Sequence, residues 1–397
     1  MGEGQNRTRT SLIAAMVAQL SHRIVGAVLS TVMQSSRPAT APDFLLSRAH
    51  GSVRTQGCVD TYTDIDRAIK ALADGEHEMI VGALPFNPND RAALTVPESI
   101  IREDGPLEPP AYYRQGELRA RISSVDPEPQ EHLRRVEAAI DTIISSRLEK
   151  VVLARAVDFE FLADVDPRLV AARLIDNSAH RDGFIADLSP AGREGHMLVG
   201  SSPEVLVKRQ GSTVSAIPMA GSAARSADPV ADENARFQLQ NSAKDLHEHA
   251  FVVDHLRAAL SPLCEQLSIP TKPQLIKTTE MWHLATPISG QLKQPQLSAL
   301  ELAARIHPTP AICGTPTAAA DHLIHTAESA RGFYAGAVGW CDNTGDGEYL
   351  VAIRCAEIWG RQGRTWAGGG IVADSDPEQE LAETTAKLQT ILRSLGL

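Results

Sequence analysis

Two stretches of the chain set carboxylates at helical spacing. Ser242-Ala-Lys-Asp-Leu-His-Glu-His249 places Asp245 and Glu248 three residues apart, and near the C-terminus Glu380 and Glu383 repeat the spacing, with Lys387 four residues beyond. Residues i and i+3 share a helix face, so each pair can aim two carboxylates in one direction. Two such helices facing each other would offer four hard oxygen ligands, which suits Mg²⁺, an octahedral ion that keeps several waters. Either pair alone reads first as a solvated helix face. His247 and His249 flank Glu248, but a zinc HExxH motif needs its histidines four apart on one face, and these two diverge.

Small-residue loops and isolated charges extend the inventory. Gly200-Ser-Ser202, Gly221-Ser-Ala223 and Gly368-Gly-Gly370 each follow a strand candidate, and none matches GxGxxG or a Walker loop. Exposed N–H groups in such loops can hold a carboxylate. Arg354 lies in the apolar run Tyr349-Leu-Val-Ala-Ile-Arg-Cys355, read as a strand; a guanidinium there needs an anion, from the protein or from a substrate. Lys150 abuts the strand candidate Val151–Phe161, and Glu204 begins the one after Gly200-Ser-Ser-Pro203. In isolation both read as strand-end surface charges, and His283 as a core histidine.

The elements that must position these groups are an amphipathic helix over 131–147, helices covering 250–260 and 378–395, and closely spaced strands at 151–161, 197–199, 205–208 and 213–217. Gly396 is a helix stop signal. The class is α+β, a single large domain of mostly antiparallel sheets flanked by helices. Residues 1–42 read as an N-terminal extension ending in a linker, and 43–397 as the catalytic domain. Arg23 interrupts the early apolar runs, so a spanning helix is not expected. Across 397 residues, 38 Lys plus Arg against 49 Asp plus Glu give a net charge of −11. That balance, with 4% aromatic residues, excludes a nucleic-acid binder and requires a local cation for any anionic ligand. Five cysteines without a CxxC pair predict buried thiols in a reducing cytoplasm.

Ten segments in order carry a resemblance: Leu148-Glu-Lys-Val-Val-Leu-Ala-Arg155, Val199-Gly-Ser-Ser-Pro-Glu-Val205, Met219-Ala-Gly-Ser-Ala223, Ser242 to His249, Trp282-His-Leu-Ala-Thr-Pro287, His307-Pro-Thr-Pro-Ala311, Val338-Gly-Trp-Cys-Asp342, Ile353-Arg-Cys-Ala356, Gly368-Gly-Gly-Ile-Val372 and Glu383-Thr-Thr-Ala-Lys387. The chain resembles the siderophore-type isochorismate synthases among the chorismate-utilising enzymes, over about residues 43 to 397. The resemblance implies the anthranilate synthase component I-like fold and an isomerase that converts chorismate to isochorismate with Mg²⁺. Lys150 matches the base that activates water, and Glu204 the acid that protonates the departing C4 hydroxyl. Glu248 and Glu383 match direct metal ligands, with Asp245 and Glu380 reaching the ion through water. Gly221, Ser222, Ala223, His283, Tyr334, Arg354, Gly368, Gly369, Gly370 and Lys387 match the surroundings of the substrate.

By the same resemblance, lysine at position 150, where the ammonia-using relatives carry another residue, implies water as nucleophile and no glutaminase partner. The resemblance further implies a cytoplasmic monomer without stable membrane association, supplying 2,3-dihydroxybenzoate or salicylate for a siderophore. Salicylate synthase, which goes on to eliminate pyruvate, is the alternative reading, and supply to menaquinone is another. Tyr334, where this type can carry Phe, together with Ile312 and Trp366, departs from the pattern.

Overall fold

A computed structural model describes residues 42–294 and 296–397. The expected extension over 1–42 therefore falls almost wholly outside the described residues. Asp43–Leu397 forms one contact-dense unit.

Its first strand shows how sequence alternation builds the layers. In Phe44–Arg48, Phe44 and Leu46 face one apolar cluster and Leu45 faces another, as side chains on a pleated strand must alternate. The larger cluster joins Phe44, Phe184 and Leu198 of a ten-stranded sheet to Ile80, Val207 and Leu350 of a nine-stranded one, so the two sheets share a core. On the other face of the ten-stranded sheet, Phe159, Phe161, Ile185 and Ile358 pack with Leu174 of helix Pro167–Asn177 and Ile391 of helix Pro377–Leu395. A three-stranded sheet holds Met219–Ala224, Met281–Ala285 and Gln274–Lys277. The strand pairings are antiparallel throughout the described residues, which is the α+β class expected.

The elements that carry the site begin and end where local chemistry requires. Helix Ala243–Leu260 is capped by Ser242, whose hydroxyl accepts the Asp245 N–H at 3.2 Å. Helix Pro377–Leu395 starts with the Asp376 side chain accepting the Gln379 N–H and Pro377 in its first turn, and stops at Gly396 in the left-handed conformation. The helix expected over 131–147 is found at Pro129–Ser145. No helix among the described residues is long and apolar enough to cross a membrane.

Three local expectations are corrected. Gly368, Gly369 and Gly370 are not a loop; they lie inside strand Gln362–Ile371, paired residue for residue with Val152–Ala154 of strand Lys150–Phe161. Gly221, Ser222 and Ala223 likewise belong to strand Met219–Ala224, with a register shift between Met219 and Ser222. Arg354 is not in a strand. The preceding strand ends at Val351, the next begins at Cys355, and Arg354 turns between them with φ +49°. Four cysteines are buried as expected, whereas Cys58 is exposed.

Candidate active site

The two carboxylate helices meet at the glycine strand. Helix Pro377–Leu395 packs on Gln362–Ile371, and the pleat sends successive glycines to opposite faces. A Cβ on Gly369 would stand 2.9 Å from Glu380 Oε2, and one on Gly370 would overlap Glu248 Oε1 and lie 2.9 Å from Lys150 Cε. Glycine at 370 thus lets a carboxylate from one helix and a lysine from the neighbouring strand approach the same backbone. Gly221, at φ +78°, does the same for helix Ala243–Leu260: its Cβ would be 3.0 Å from Asp245 Cβ.

Each cleft carboxylate on these helices has a lysine partner. Lys150, the first residue of its strand and fully buried, sets Nζ 2.9 Å from Glu248 Oε1 without hydrogen-bond alignment. Lys244 Nζ donates to Glu380 Oε1 at 2.6 Å, and Lys387 Nζ lies 2.5 Å from Glu383 Oε1 while donating to the Gly368 carbonyl at 2.9 Å. Ser222 Oγ donates to Glu383 Oε1 at 2.8 Å. Burial and the Glu383 charge push the Glu380 carboxyl up despite Lys244; burial also pushes Glu383 up, but Lys387, Ser222 and Lys244 outweigh it and hold Glu383 below its ordinary value. Burial raises Asp245, which feels the charges of Glu248 and Glu383.

These carboxylates do not form a closed cage. Among the described residues no three His, Cys, Asp or Glu side chains stand together as a ready metal site. The fit to a hard divalent cation lies in the donor chemistry. All four candidates offer oxygen, the charges of Glu383 and Glu248 raise the Glu380 carboxyl, and Glu380 Oε2 is buried with no hydrogen-bond partner. The lysines supply the positive charge this arrangement demands.

The other end of the cleft is built differently. Glu204 is buried just ahead of strand Val205–Gln210 and accepts the Met219 N–H at Oε1, 3.3 Å away. Burial pushes its carboxyl up to about 7, against the Met219 hydrogen bond and the charges of Lys150, Lys387 and Arg354. A protonated Glu204 can therefore donate near neutral pH. The buried Arg354 guanidinium has no ion-pair or hydrogen-bond partner among the described residues. Burial, with the Arg354 and Lys387 charges, holds His283 well below its ordinary value; its Nε2 is buried and unpartnered.

A second histidine acts as a strut. His249 Nδ1 lies 3.1 Å from the Ala220 carbonyl, which can only accept, so Nδ1 carries the proton. Nε2 then accepts from Thr286 Oγ1 at 2.7 Å, and burial keeps the ring neutral by lowering its pKa to about 4. His249 so fastens the strand that bears Gly221 and Ser222 to the Ser242-capped helix.

The cleft encloses about 690 Å³ including its open mouth. Of the residues singled out in the sequence, Glu204, Gly221, Ser222, Glu248, His283, Tyr334, Arg354, Gly368, Gly370, Glu383 and Lys387 line it. Lys150 sits behind Glu248 and Gly370, and Glu380 and Gly369 lie on the helix side of the glycine strand. Asp245 and Ala223 are not in the lining. Sequence reasoning missed Lys244, although it stands inside the quoted Ser242 segment; its i, i+4 spacing to Glu248 was the available signal, yet its partner proves to be Glu380 on the other helix. It also missed the stacking of Tyr334 on Trp366, with centroids 5.5 Å apart and planes 9° from parallel. Beyond Thr365 the glycine strand pairs on one side only, which leaves a backbone edge open.

Comparison with known proteins gives one family. The family described as chorismate binding enzyme matches residues 78–396. A Mycobacterium tuberculosis protein provisionally named isochorismate synthase MenF is 44% identical over 366 residues, covering 90% of this chain and 96% of its own. Isochorismate synthase DhbC of Bacillus subtilis is 45% identical over 326 residues, covering 80% and 81% respectively. A crystal structure from Bacillus anthracis, provisionally described as a 2,3-dihydroxybenzoate-specific isochorismate synthase, superposes with a TM-score of 0.84 at 37% identity over 91% of this chain and 98% of that one.

Proposed function

The chain belongs to the chorismate-binding enzymes, and we propose that it is an isochorismate synthase: water adds at C2 of chorismate and the C4 hydroxyl departs. The observation that carries this reading is a buried carboxyl, Glu204, raised to about 7 in the same cleft as an unpartnered arginine, with the buried Lys150 just behind the cleft wall. An acid that is protonated at neutral pH answers the main chemical obstacle, since hydroxide leaves poorly unless it receives a proton.

The roles follow from placement. Arg354 and the open backbone edge of the glycine strand hold carboxylates of the dianion, the guanidinium by paired donors. Lys150 takes a proton from the attacking water after its contact with Glu248 loosens and its own proton is released to solvent, and Glu204 loses one proton for each that Lys150 gains. Glu204 gives its proton to the C4 oxygen, and the Met219 N–H at Oε1 fixes which way the carboxyl faces. His283, held neutral, packs its unpartnered nitrogen toward the ring. Glu248 and Glu383 would hold a Mg²⁺ directly, with Glu380 and Asp245 acting through water. When bound, the ion supplies the local positive charge that a dianion needs in a chain of net charge −11.

The relatives' names support isochorismate as product. We assign a siderophore route, in keeping with the 2,3-dihydroxybenzoate-specific description of one solved neighbour, with menaquinone supply as the alternative that the MenF name of the Mycobacterium tuberculosis relative supports. We place the enzyme in the cytoplasm as a monomer that works without a glutaminase. Pyruvate elimination to salicylate is the second reading, and it rests on Tyr334, whose hydroxyl lies 3.1 Å from where a Gly368 Cβ would stand. Product analysis of the purified protein with chorismate decides: isochorismate formed with Mg²⁺ and abolished by EDTA is expected. Salicylate and pyruvate as sole products would establish the second reading instead.

A further inference from the structure

Behind the reaction cleft lies a larger cavity of about 1510 Å³, open to solvent, between helix Pro167–Asn177, the Gln274–Lys277 strand with the turn after it, and the last turn of helix Pro377–Leu395. The two cavities share a wall: Pro203, Met219 and Arg354 line both. Met219 is an unbranched thioether that changes rotamer readily, so the wall between the cavities contains one adaptable side chain.

The charges of the larger cavity are unbalanced in a telling way. Of its carboxylates, Asp182 lies 3.1 Å from Arg48, whereas among the described residues Glu280 accepts only from the neutral Thr390 hydroxyl at 3.2 Å and keeps its charge, which acts on Arg354. Three further cations outnumber that one charge. Lys277 and Arg393 are exposed, and neither they nor Arg354 have a side-chain ion pair or hydrogen bond among the described residues. In an acidic chain whose cleft opens beside Glu248 and Glu383, three unpaired cations gathered around one cavity form a local field of the opposite sign. A concave, low-dielectric wall focuses such a field and raises the local concentration of counter-ions.

We propose that this cavity is the approach chamber for the dianionic substrate, with Lys277 and Arg393 receiving a small dicarboxylate and Arg354 passing it across the Met219 wall into the cleft. The proposal rests on the chorismate reading above. It concerns the rate of arrival rather than the chemistry, so it is tested on a variant that binds without turning over.

In a Glu204→Gln background, chorismate association is followed by stopped-flow quenching of tryptophan fluorescence. Lys277→Glu and Arg393→Glu should each lower the association rate constant about tenfold at low salt. Lys293→Glu, the same charge change outside both cavities, should leave it near the parent value. The difference should shrink in 0.5 M salt, roughly where screening falls to a few ångströms. If both variants associate at the Lys293→Glu rate, the approach chamber is wrong while the substrate assignment stands. If the parent shows no chorismate binding, the substrate assignment fails and the chamber with it. Lys277 and Arg393 sit at exposed positions on different elements, so misfolding of one variant leaves the other as the test.

Discussion

The two ends of the cleft solve opposite electrostatic problems. At one end Glu248, Glu380 and Glu383 each face a lysine, so every charge has a counter-charge at rest. At the other, Glu204 is buried without a cationic contact and Arg354 without an anionic one. Burial without pairing shifts Glu204 toward its neutral form; at the paired end Lys387 and Ser222 hold Glu383 charged, whereas Glu380, crowded by Glu383, is raised despite Lys244, and the pairs fix where all three carboxyls sit. The paired end is therefore suited to holding groups in place, and the unpaired end to reacting and to receiving substrate.

Removing the proton donor should break the unpaired end most severely. Glu204→Gln keeps the shape and the acceptor for Met219 N–H but has no acidic proton, so kcat should fall about 10²–10⁴-fold while equilibrium binding of chorismate persists. Turnover near that of the wild type would assign the acid to another group.

At the paired end the largest effect should appear in stability. Lys244→Met leaves the buried Glu380 with Ser375 as its hydrogen-bond donor, and should cost about 3 kcal/mol in denaturant unfolding. The sign with pH follows from the raised Glu380 carboxyl. Protonation relieves the unpaired charge, so the loss should be greater at pH 8 than at pH 6. A pH-independent loss would mean that Lys244 matters for packing rather than charge.

Smaller effects separate binding from chemistry. Arg354→Met should raise KM about 10–100-fold, the worth of one or two charged hydrogen bonds to a carboxylate, with a lesser change in kcat. An unchanged KM would remove Arg354 from substrate binding. Smallest, and tuned by buffer alone, is the alkaline limb of the pH profile. Glu204 must be protonated to act, so kcat/KM should fall about tenfold per pH unit above about 7. A flat profile from pH 6 to 9 would place the proton donor elsewhere.

Sequence reasoning reached the paired end more fully than the unpaired one. The i, i+3 carboxylates and the Ser242 cap are local features, and local spacing suffices to put Glu248 and Glu383 on their helices. The lysine partners come from long range: Lys150 reaches Glu248 from another element, and Lys244 crosses to Glu380 on the far helix, which no window of residues reveals. Lys150 and Glu204 read as surface charges because their burial arises when distant strands close over them, such as Gly314–Thr315 pairing with Val151 and Lys150. Consecutive glycines suggested a loop at 368–370, yet pairing with Val152–Ala154 makes them strand, and their missing side chains make room for the carboxylates. Arg354 sat in an apolar run that resembled a strand, and only its left-handed turn brings the guanidinium between two cavities.

The central claim, that this cleft adds water at C2 while expelling the C4 hydroxyl, is tested most directly by turnover in ¹⁸O-labelled water. Mass analysis of isochorismate formed from unlabelled chorismate should show one solvent-derived oxygen, carried at C2. Isochorismate without label would mean that the original hydroxyl migrates, and would contradict the roles given to Lys150 and Glu204.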